Sequence, residues 1–426
     1  MLRPLQSFLE EESSSGLLLL AAAIVALVWA NSPWSATYDQ VWHTPVTVRV
    51  GSWGISDDLR HFVNDGLMTL FFLVVGLEIK REILTGELRE WRAAALPIVC
   101  ALGGMVVPAA IFLAINAGSG TSRGWGIPMA TDIAFALGVL TLAAGSAAGR
   151  LKPFLLTLAI VDDIGAIVVI AIFYSEGVDV AALAVAGGLC VGIFALVRLG
   201  IRALTLYVVL GVLVWYATYR SGVHPTIAGV VLAFLTPATP FQRPRAVSLE
   251  AHRTADATLD DPDPPDADAQ YWLRLASLSR QAVSPLAWLQ DRLHPWTSWF
   301  VVPMFALGNA GVAVSPADLG EAVTRPLFLG IVLGLVVGKP LGITAAAWIA
   351  VRSGIARLPS SVGWMHVAGV GVIAGIGFTV SLFIAGLAFG GRSELTQAKL
   401  GVLAASLIAG VAGSVLLRSS VARAEG

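Results

Sequence analysis

The chain has 426 residues, of which 56% are hydrophobic and only 13% are charged. Soluble domains carry about 25% charged residues, so a mean hydropathy of +0.79 excludes a water-facing globule and predicts a polytopic membrane protein. The formal net charge of -1, from 27 basic and 28 acidic side chains, excludes the strongly basic surface of a nucleic-acid-binding protein, and we expect no nucleic-acid partner.

Long apolar runs separate the charged residues along the chain. At about 20 residues per membrane span, these runs predict an all-α fold of about twelve transmembrane helices in a lipid bilayer. Eight spans fall within residues 1–236 and four within residues 294–426, with a polar segment, 237–293, between them. Placing the N-terminus inside puts most of the 27 lysines and arginines on the cytoplasmic side, so we expect both termini in the cytoplasm.

Two connecting segments have a distinct composition. Val46, Val48 and Val50 alternate with polar residues and lead into Gly51, which predicts a short β-hairpin near residues 46–56 on the outer side. The pattern leaves open whether this hairpin packs on its own helices or contacts a second subunit. Residues 237–293 include the run DDPDPPDAD, and this composition predicts a disordered acidic linker in the cytoplasm.

Four ionisable side chains lie deep in predicted spans: Asp132, Asp162, Asp163 and Lys339. Such groups cost about 2.5 to 3.5 kcal/mol each on insertion scales and indicate function by default. Asp163 lies about ten residues into its span, near the midplane at 1.5 Å per residue. Asp162 and Asp163 diverge by about 100° around a helix, so one can face a cavity while the other pairs with Lys339.

The balance of these four charges favours a cation site. A structural ion pair would account for Lys339 and one aspartate. The other two of the three aspartates would still carry uncompensated negative charge. Carboxylate and hydroxyl oxygens suit hard cations, and burial favours the neutral form of a carboxyl group. We therefore expect sodium ions and protons to compete for the same site.

Glycine and proline interrupt two of the predicted spans. The fourth span holds Gly126, Pro128 and Thr131 beside Asp132, and the eleventh is rich in glycine from 369 to 377. Glycines in spans also serve close helix packing. Interrupted helices in corresponding positions of two halves are typical of inverted-repeat transporters, whose substrate sites lie near the midplane.

The residues that carry these features resemble the NhaA family of sodium/proton antiporters. That family is itself one of the known examples of interrupted helices in inverted-repeat transporters. The resemblance covers nearly every predicted span in family order. The segments that carry it are NDGLMTLFFLVVGLEIKREILTGEL from Asn64, ATDIAFALGVL from Ala130, LAIVDDIGAIVVIAIFY from Leu158, SGVHPTIAGV from Ser221, HPWTSWFVVPMFALGNAGV from His294, GKPLGI from Gly338 and GIGFTVSLFIAGLAF from Gly375.

The resemblance implies an exchanger that moves Na⁺ or Li⁺ out against entering H⁺ in a bacterial plasma membrane. It implies that exchange is electrogenic and is activated at alkaline pH. Asp163 and Asp162 would be the ion-binding and proton-exchanging centre, with Asp132 and Thr131 on the interrupted fourth span and Lys339 as the compensating charge. The outer hairpin resembles the element through which members of the family form homodimers.

The resemblance also implies a cytoplasmic pH-sensing cluster at Glu78, Arg81 and Glu82. This chain departs from the family elsewhere, because Gln290 and Asp291 stand where well-studied members have an acid and a histidine before His294. The pH-sensing role therefore extends no further than those three residues and His294. Two further matches are Asp65, near the outer end of the second span, and His224. At a span boundary, His224 could either have a structural role or gain and lose a proton near neutral pH.

Three other classes of protein compete with this interpretation. An intramembrane aspartyl protease would carry a GxGD segment, and no aspartate here follows that pattern. A nucleotide-driven pump would carry GxxxxGK[ST], which is absent. A sodium-coupled symporter of an organic anion on the same fold stays an alternative. We expect no enzymatic activity and no cofactor, since the ions are transported rather than resident.

Overall fold

The computed structural model of the chain describes residues 3–50, 53–145, 148–175, 177–260, 265–314, 320, 322–358 and 362–425. Helices dominate these residues. In chain order they are α1 (Arg3–Ala30), α2 (Ser35–Trp42), α3 (Leu59–Thr85), α4 (Trp91–Ile115), α5 (Ile133–Ala144), α6 (Ala148–Phe173), α7 (Val180–Arg198), α8 (Leu204–Arg220), α9 (Thr226–Leu235), α10 (Pro244–Asp260), α11 (Pro265–Gln281), α12 (Pro285–Trp296), α13 (Val302–Asn309), α14 (Pro326–Arg352), α15 (Trp364–Ala374), α16 (Phe378–Phe389) and α17 (Glu394–Glu425).

Short segments of tighter or wider winding complete the helices. The 3₁₀-helices are Glu87–Arg89 and Ser122–Met129, and the π-helical turns are Val63–Leu67, Thr297–Val301 and Gly334–Gly338. Single π-helical turns are frequent at functional sites. The last of these three directly precedes Lys339, and the second joins α12 to α13.

The helices account for a multi-pass membrane protein. Among the described residues, six helices (α3, α4, α6, α7, α14 and α17) are long and apolar enough to cross a membrane, and the number rises to nine if each of three bent pairs is one span. The bent pairs are α1 with α2, the 3₁₀-helix Ser122–Met129 with α5, and α15 with α16. The shorter apolar helices α8 and α9 follow α7. The number of twelve spans stays a prediction.

A two-stranded sheet lies between α2 and α3. Strands β1 (Pro45–Val50) and β2 (Trp53–Asp58) pair antiparallel in the segment whose alternation predicts a hairpin. Asp58 then caps α3, because its Oδ1 accepts the backbone N–H of His61 at 2.8 Å. Burial raises the pKa of Asp58, but the hydrogen bonds from the His61 backbone and ring outweigh burial and hold that pKa below its ordinary value.

The disordered linker predicted for residues 237–293 is wrong in the part that the structure describes, because α10 and α11 occupy much of it. The prediction gave most weight to the run DDPDPPDAD, of which residues 261–264 lie outside the described residues. On either side the sequence is rich in Ala, Leu and Arg, which are good helix formers. Pro244 and Pro265 occupy first helical positions, where proline is favoured.

Two helix breaks bring the functional residues together. Between the 3₁₀-helix Ser122–Met129 and α5 the chain leaves helical geometry at 130–132, with a bend of 43°. Between α15 and α16 it does so at 375–377, with a bend of 44°. The first change of direction comes from the extended backbone at Asp132. The second comes from the three residues 375–377, two of which are glycines.

Two pairs of helices pack with their backbones in contact. A Cβ atom added to Gly103 of α4 would collide with the carbonyl oxygen of Gly342 of α14, and the reverse holds as well. In the same way, a Cβ atom on Gly229 of α9 would collide with the carbonyl oxygen of Thr69 of α3. Only glycine permits such close approach of two backbones.

Candidate functional site

The two helix breaks contact each other directly, and we call this contact the crossing (residues 129–132 with 374–379). The backbone N–H of Asp132 donates to the Ile376 carbonyl at 2.7 Å. Thr131 Oγ1 lies within hydrogen-bond distance of the Ala374 carbonyl, at 3.0 Å. Backbone groups freed where each helix stops are thus satisfied by the other break.

Asp132 binds the starts of two helices at once. Its Oδ1 accepts the Phe135 N–H at 3.0 Å, which caps α5. Its Oδ2 accepts both the N–H of Thr379 at 3.0 Å and the Thr379 hydroxyl at 2.6 Å, in the first turn of α16. A carboxylate between two helix N-termini compensates the positive ends of both helix dipoles. Both oxygens of Asp132 are therefore engaged.

Lys339 is fully buried, at 0% exposure, and is surrounded by oxygen atoms. Its Nζ lies 2.8 Å from Asp162 Oδ2 and donates to Thr131 Oγ1 at 2.6 Å. It also donates to the Met129 carbonyl, at the end of the 3₁₀-helix before the crossing. A cation at the carbonyl end of a helix opposes the negative end of its dipole. At the interruption, Lys339 therefore compensates the carbonyl end of the 3₁₀-helix, and Asp132 compensates the N-terminal end of α5.

Asp162 is the partner of Lys339, and one of its oxygens stays unused. Its Oδ2 contacts Lys339 and also lies 2.8 Å from Thr131 Oγ1. Its Oδ1 is buried and has no hydrogen-bond partner among the described residues. A buried acceptor without a partner is costly. This atom is therefore a candidate ligand for a cation or a proton.

Asp163 turns away from this pair into a cavity of about 70 Å³, which we call the Asp163 cavity. The side chains of α3, α12, the turn before α13 and the crossing line it. No hydrogen bond joins the Asp163 carboxylate to another described residue, although the residue is only 3% exposed. The two neighbouring aspartates thus occupy different environments, as their 100° separation predicts.

Two of the four residues matched to the pH-sensing cluster line the same cavity. Glu78 and His294 both line it. Arg81 Nη2 is 3.9 Å from Oε1 of Glu78 and 3.9 Å from Oε1 of Glu82. The structure brings these four residues to one region together with Asp163.

Asp65 and His224 meet elsewhere, at a second cavity of about 370 Å³ that we call the Asp65 cavity. His224 Nε2 is 3.5 Å from Asp65 Oδ1. Arg123 and Arg392 also line this cavity, and Asp163 does not. The sequence matched Asp65 and His224 to the family separately, and their proximity is a finding of the structure.

Thr379 is the functional residue that sequence reasoning missed. It supplies two of the three hydrogen bonds to Asp132. A usable signal exists in the sequence, since a hydroxyl residue directly after the GIG break and Phe378 falls in the first turn of a half-helix. At that position donors point toward an anion.

A multi-pass helical membrane protein with a buried lysine, three deep aspartates and crossed helix breaks has the features of a secondary ion transporter. The family model described as Na⁺/H⁺ antiporter 1 matches residues 6–417. The chain therefore belongs to the Na⁺/H⁺ antiporter 1 family, a family of transporters.

Curated relatives agree over nearly the full chain. The protein named Na(+)/H(+) antiporter NhaA 2 of Sorangium cellulosum (strain So ce56) is 46% identical over 100% of this chain and 92% of its own length. The Na(+)/H(+) antiporter NhaA of Oleidesulfovibrio alaskensis (strain ATCC BAA-1058 / DSM 17464 / G20) is 46% identical over 98% of this chain and 94% of its own. The Na(+)/H(+) antiporter NhaA of Cupriavidus necator (strain ATCC 17699 / DSM 428 / KCTC 22496 / NCIMB 10442 / H16 / Stanier 337) is 47% identical over 96% and 88%.

Proposed function

We propose that this protein exchanges Na⁺ or Li⁺ from the cytoplasm for external H⁺, with Asp163 as the group that binds either ion. The observation that carries the proposal is the contrast between Asp163 and the other deep charges. Lys339, Asp162 and Asp132 are each held by hydrogen bonds or an ion pair, whereas Asp163 meets a cavity without a hydrogen-bond partner among the described residues.

Competition at one carboxylate supplies the exchange. A proton and a sodium ion each neutralise the Asp163 charge, so binding of one displaces the other. The free Oδ1 of Asp162 adds a second carboxylate oxygen of the kind that hard cations prefer. The Thr131 hydroxyl, which accepts a hydrogen bond from Lys339 at 2.6 Å, belongs to the same site. Asp132 stabilises the crossing beside it through its hydrogen bonds to α5 and α16.

Electrogenic transport follows from the number of titratable groups. Asp162, Asp163 and Lys339 together offer more proton sites than a single monovalent cation neutralises. If more than one proton enters for each sodium ion that leaves, each cycle moves net charge inward. The membrane potential, worth about 2.3 kcal/mol per charge per 100 mV, then drives sodium out.

Activation at alkaline pH follows from the competition between protons and sodium ions at Asp163. As pH rises, protons compete less with sodium for Asp163, so exchange increases. Glu78 and His294 line the cavity that contains Asp163, and Arg81 lies 3.9 Å from both Glu78 and Glu82. We assign to them the adjustment of the pH at which exchange begins.

Placement in the cell completes the proposal. We assign the protein to the bacterial plasma membrane with both termini in the cytoplasm, on the distribution of its lysines and arginines. The Asp163 cavity then faces the cytoplasm and the Asp65 cavity faces outward. The β1–β2 hairpin lies on the outer side, where we assign it to a homodimer contact.

A sodium-coupled symporter of an organic anion is the second candidate, because the Asp65 cavity is larger and holds Arg123 and Arg392. Asp163 does not line that cavity. An anion bound there would share no described cavity with the proposed sodium ligand, which favours the exchanger.

The deciding experiment uses purified protein in liposomes that contain a pH-sensitive dye. An outward gradient of Na⁺ or Li⁺, with valinomycin and K⁺ to set the potential, should acidify the lumen at a rate that depends on the potential. K⁺ in place of Na⁺ is the control and should give no signal. Proton movement that requires an added organic anion would replace the exchanger by the symporter.

A further inference from the structure

The β1–β2 hairpin is joined to a helix distant in the sequence by one side-chain hydrogen bond. Tyr219, in the last turn of α8, donates its hydroxyl to Asp57 Oδ2 of β2 at 2.5 Å. Among the described residues, the other side-chain hydrogen bonds of the hairpin stay within it or go to His61, at the start of α3. A two-stranded hairpin is marginally stable at best by itself, so its position depends on such contacts.

Tyr219 also belongs to the wall of the Asp65 cavity. Its ring stacks on that of Trp215, one turn earlier on α8, with the ring centroids 6.1 Å apart and the planes at 23°. Trp215 Nε1 in turn donates to the Asp65 carbonyl at 3.0 Å, within the π-helical turn Val63–Leu67. Because the Asp65 carboxylate lies beside His224 in the cavity, continuous contacts lead from β2 to this acid and this histidine.

The hydrogen bond to Asp57 directs the Tyr219 hydroxyl to a carboxylate that does not line the Asp65 cavity. Hydrogen bonds to ionised acceptors are among the stronger ones in proteins. If Asp57 moves away, the hydroxyl needs another acceptor. The cavity of about 370 Å³ beside Tyr219 leaves room for the hydroxyl to turn inward, where Asp65 offers carboxylate oxygens. Displacement of the hairpin would therefore narrow the cavity.

We propose that Tyr219 is a positioning residue that couples the β1–β2 hairpin to the Asp65 cavity. The Tyr219 ring is held back from the cavity while Asp57 accepts its hydroxyl, and it turns into the cavity when the hairpin moves away. One side chain with two alternative acceptors is the discrete element that a claim of coupling requires. The position of the hairpin thereby sets the access of ions to the cavity from outside. The proposal rests on the outer placement of the hairpin and the cavity, which is assigned under the proposed function.

The test measures how fast a cysteine in the Asp65 cavity reacts with a membrane-impermeant maleimide added outside right-side-out vesicles. Gly386→Cys supplies the thiol, because Gly386 lines the cavity and an added Cβ atom there meets no atom within 4 Å. The chain without this change, which keeps Cys100 and Cys190, gives the background. Labelling of Gly386→Cys only in everted vesicles would overturn the outer placement and the proposal with it.

Adding Asp57→Ala should slow the labelling of Gly386→Cys roughly ten-fold, the change in equilibrium that loss of one hydrogen bond to a charged group allows. Asp57→Asn keeps an acceptor oxygen and should leave the rate unchanged. Combining Asp57→Ala with Tyr219→Phe should restore the rate, because a ring without its hydroxyl gains no hydrogen bond by turning inward. The matched control for Tyr219→Phe is Tyr207→Phe, which removes another hydroxyl of α8, bonded to the Ile201 carbonyl, and should not restore the rate.

Slow labelling that persists when Tyr219→Phe is combined with Asp57→Ala would overturn the proposal, because Asp57 would then only stabilise the hairpin. An unchanged rate in Asp57→Ala would overturn it as well. The labelling reaction requires no transport, and sodium/proton exchange is measured separately in the same vesicles. The expected labelling rates without exchange would therefore reject only the proposed function, and exchange with labelling that ignores Asp57 would reject only this inference.

Discussion

The crossing and the Asp163 cavity lie side by side and contain the same types of side chain, but their charges are held in different ways. At the crossing, Lys339 contacts Asp162, and Asp132 accepts three hydrogen bonds. In the cavity, Asp163 has no such bond among the described residues. Asp162 and Asp163 are consecutive, so the direction in which each side chain leaves α6, rather than depth or residue type, separates them.

This difference separates stabilising charges from an exchanging charge. A buried ion pair with additional hydrogen bonds offsets its own desolvation, whereas an unpaired buried charge costs several kcal/mol. An unpaired buried carboxylate, such as that of Asp163, is therefore stabilised when it binds either a proton or a metal cation. The predictions below change one region and leave the other intact.

The largest effect is expected at the cavity. Asp163→Asn should reduce sodium-dependent proton movement in everted vesicles to the background level, because an amide neither titrates near neutrality nor carries a negative charge. The matched control is Asp291→Asn, an exposed acid on α12, which should retain exchange. Normal transport by Asp163→Asn, at equal amounts in the membrane, would remove Asp163 from the mechanism.

At the crossing, Lys339→Ala should lower the melting temperature of the purified protein in detergent. Removing one partner of a buried pair costs about 3 to 5 kcal/mol because the other charge is left uncompensated. Combining Lys339→Ala with Asp162→Asn should recover part of this loss, since no unpaired charge remains. An unchanged melting temperature in the single variant would show that Lys339 is not needed for stability.

A smaller effect is expected where the crossing meets α16. Thr379→Val removes the 2.6 Å hydroxyl bond to Asp132 and keeps the backbone bond, at a cost of about 1.5 to 3 kcal/mol for a bond to a charged group. Thr141→Val is the control, because the Thr141 hydroxyl only donates to the Leu137 carbonyl of its own helix. Equal melting temperatures for the two variants would mean that Thr379 does not hold Asp132.

The smallest effect concerns the pH at which exchange begins. Glu78→Gln removes a negative charge from the wall of the Asp163 cavity, so protons should be held less tightly there. Half-activation should move to lower pH by about 0.5 to 1 unit, and Glu82→Gln should act in the same direction. His294→Ala should move it less, because Gln290 and Asp291 no longer form the neighbouring acid–histidine pair.

Activity profiles from pH 6 to 9 at saturating sodium measure these shifts. A large displacement by His294→Ala with none from the two glutamate variants would identify the histidine as the sensor. Identical profiles for all four proteins would leave proton competition at Asp163 as the whole of the pH response.

The fold class and the four deep charges could be predicted from the sequence because membrane insertion constrains both. Long apolar runs identify spans, and Asp132, Asp162, Asp163 and Lys339 are conspicuous within them. The sequence also required that Asp162 and Asp163 face different directions. The sequence could not show which of the two aspartates contacts Lys339, because that depends on how α6 is rotated relative to α14 in the tertiary structure.

Other features depend on contacts between distant residues. The Thr379 hydroxyl contacts Asp132 across 247 positions of the chain. The GIG break before Thr379 is a local signal for a first-turn hydroxyl, but it does not identify Asp132 as the partner. The pairing of Asp65 with His224 is of the same kind. The prediction of disorder for 237–293 was wrong for α10 and α11, because it gave the run of aspartates more weight than the helix formers on either side.

The contacts of Gly103 with Gly342 and of Gly229 with Thr69 restrict how the helices can move. Each contact leaves no room for a side chain between the two backbones, so we expect α4 with α14 and α3 with α9 each to move as one unit. Phe71 and Glu78 of α3 line one wall of the Asp163 cavity, and Lys339 belongs to the other unit. We expect any rearrangement that turns Asp163 from one side of the membrane to the other to occur as displacement between these two units.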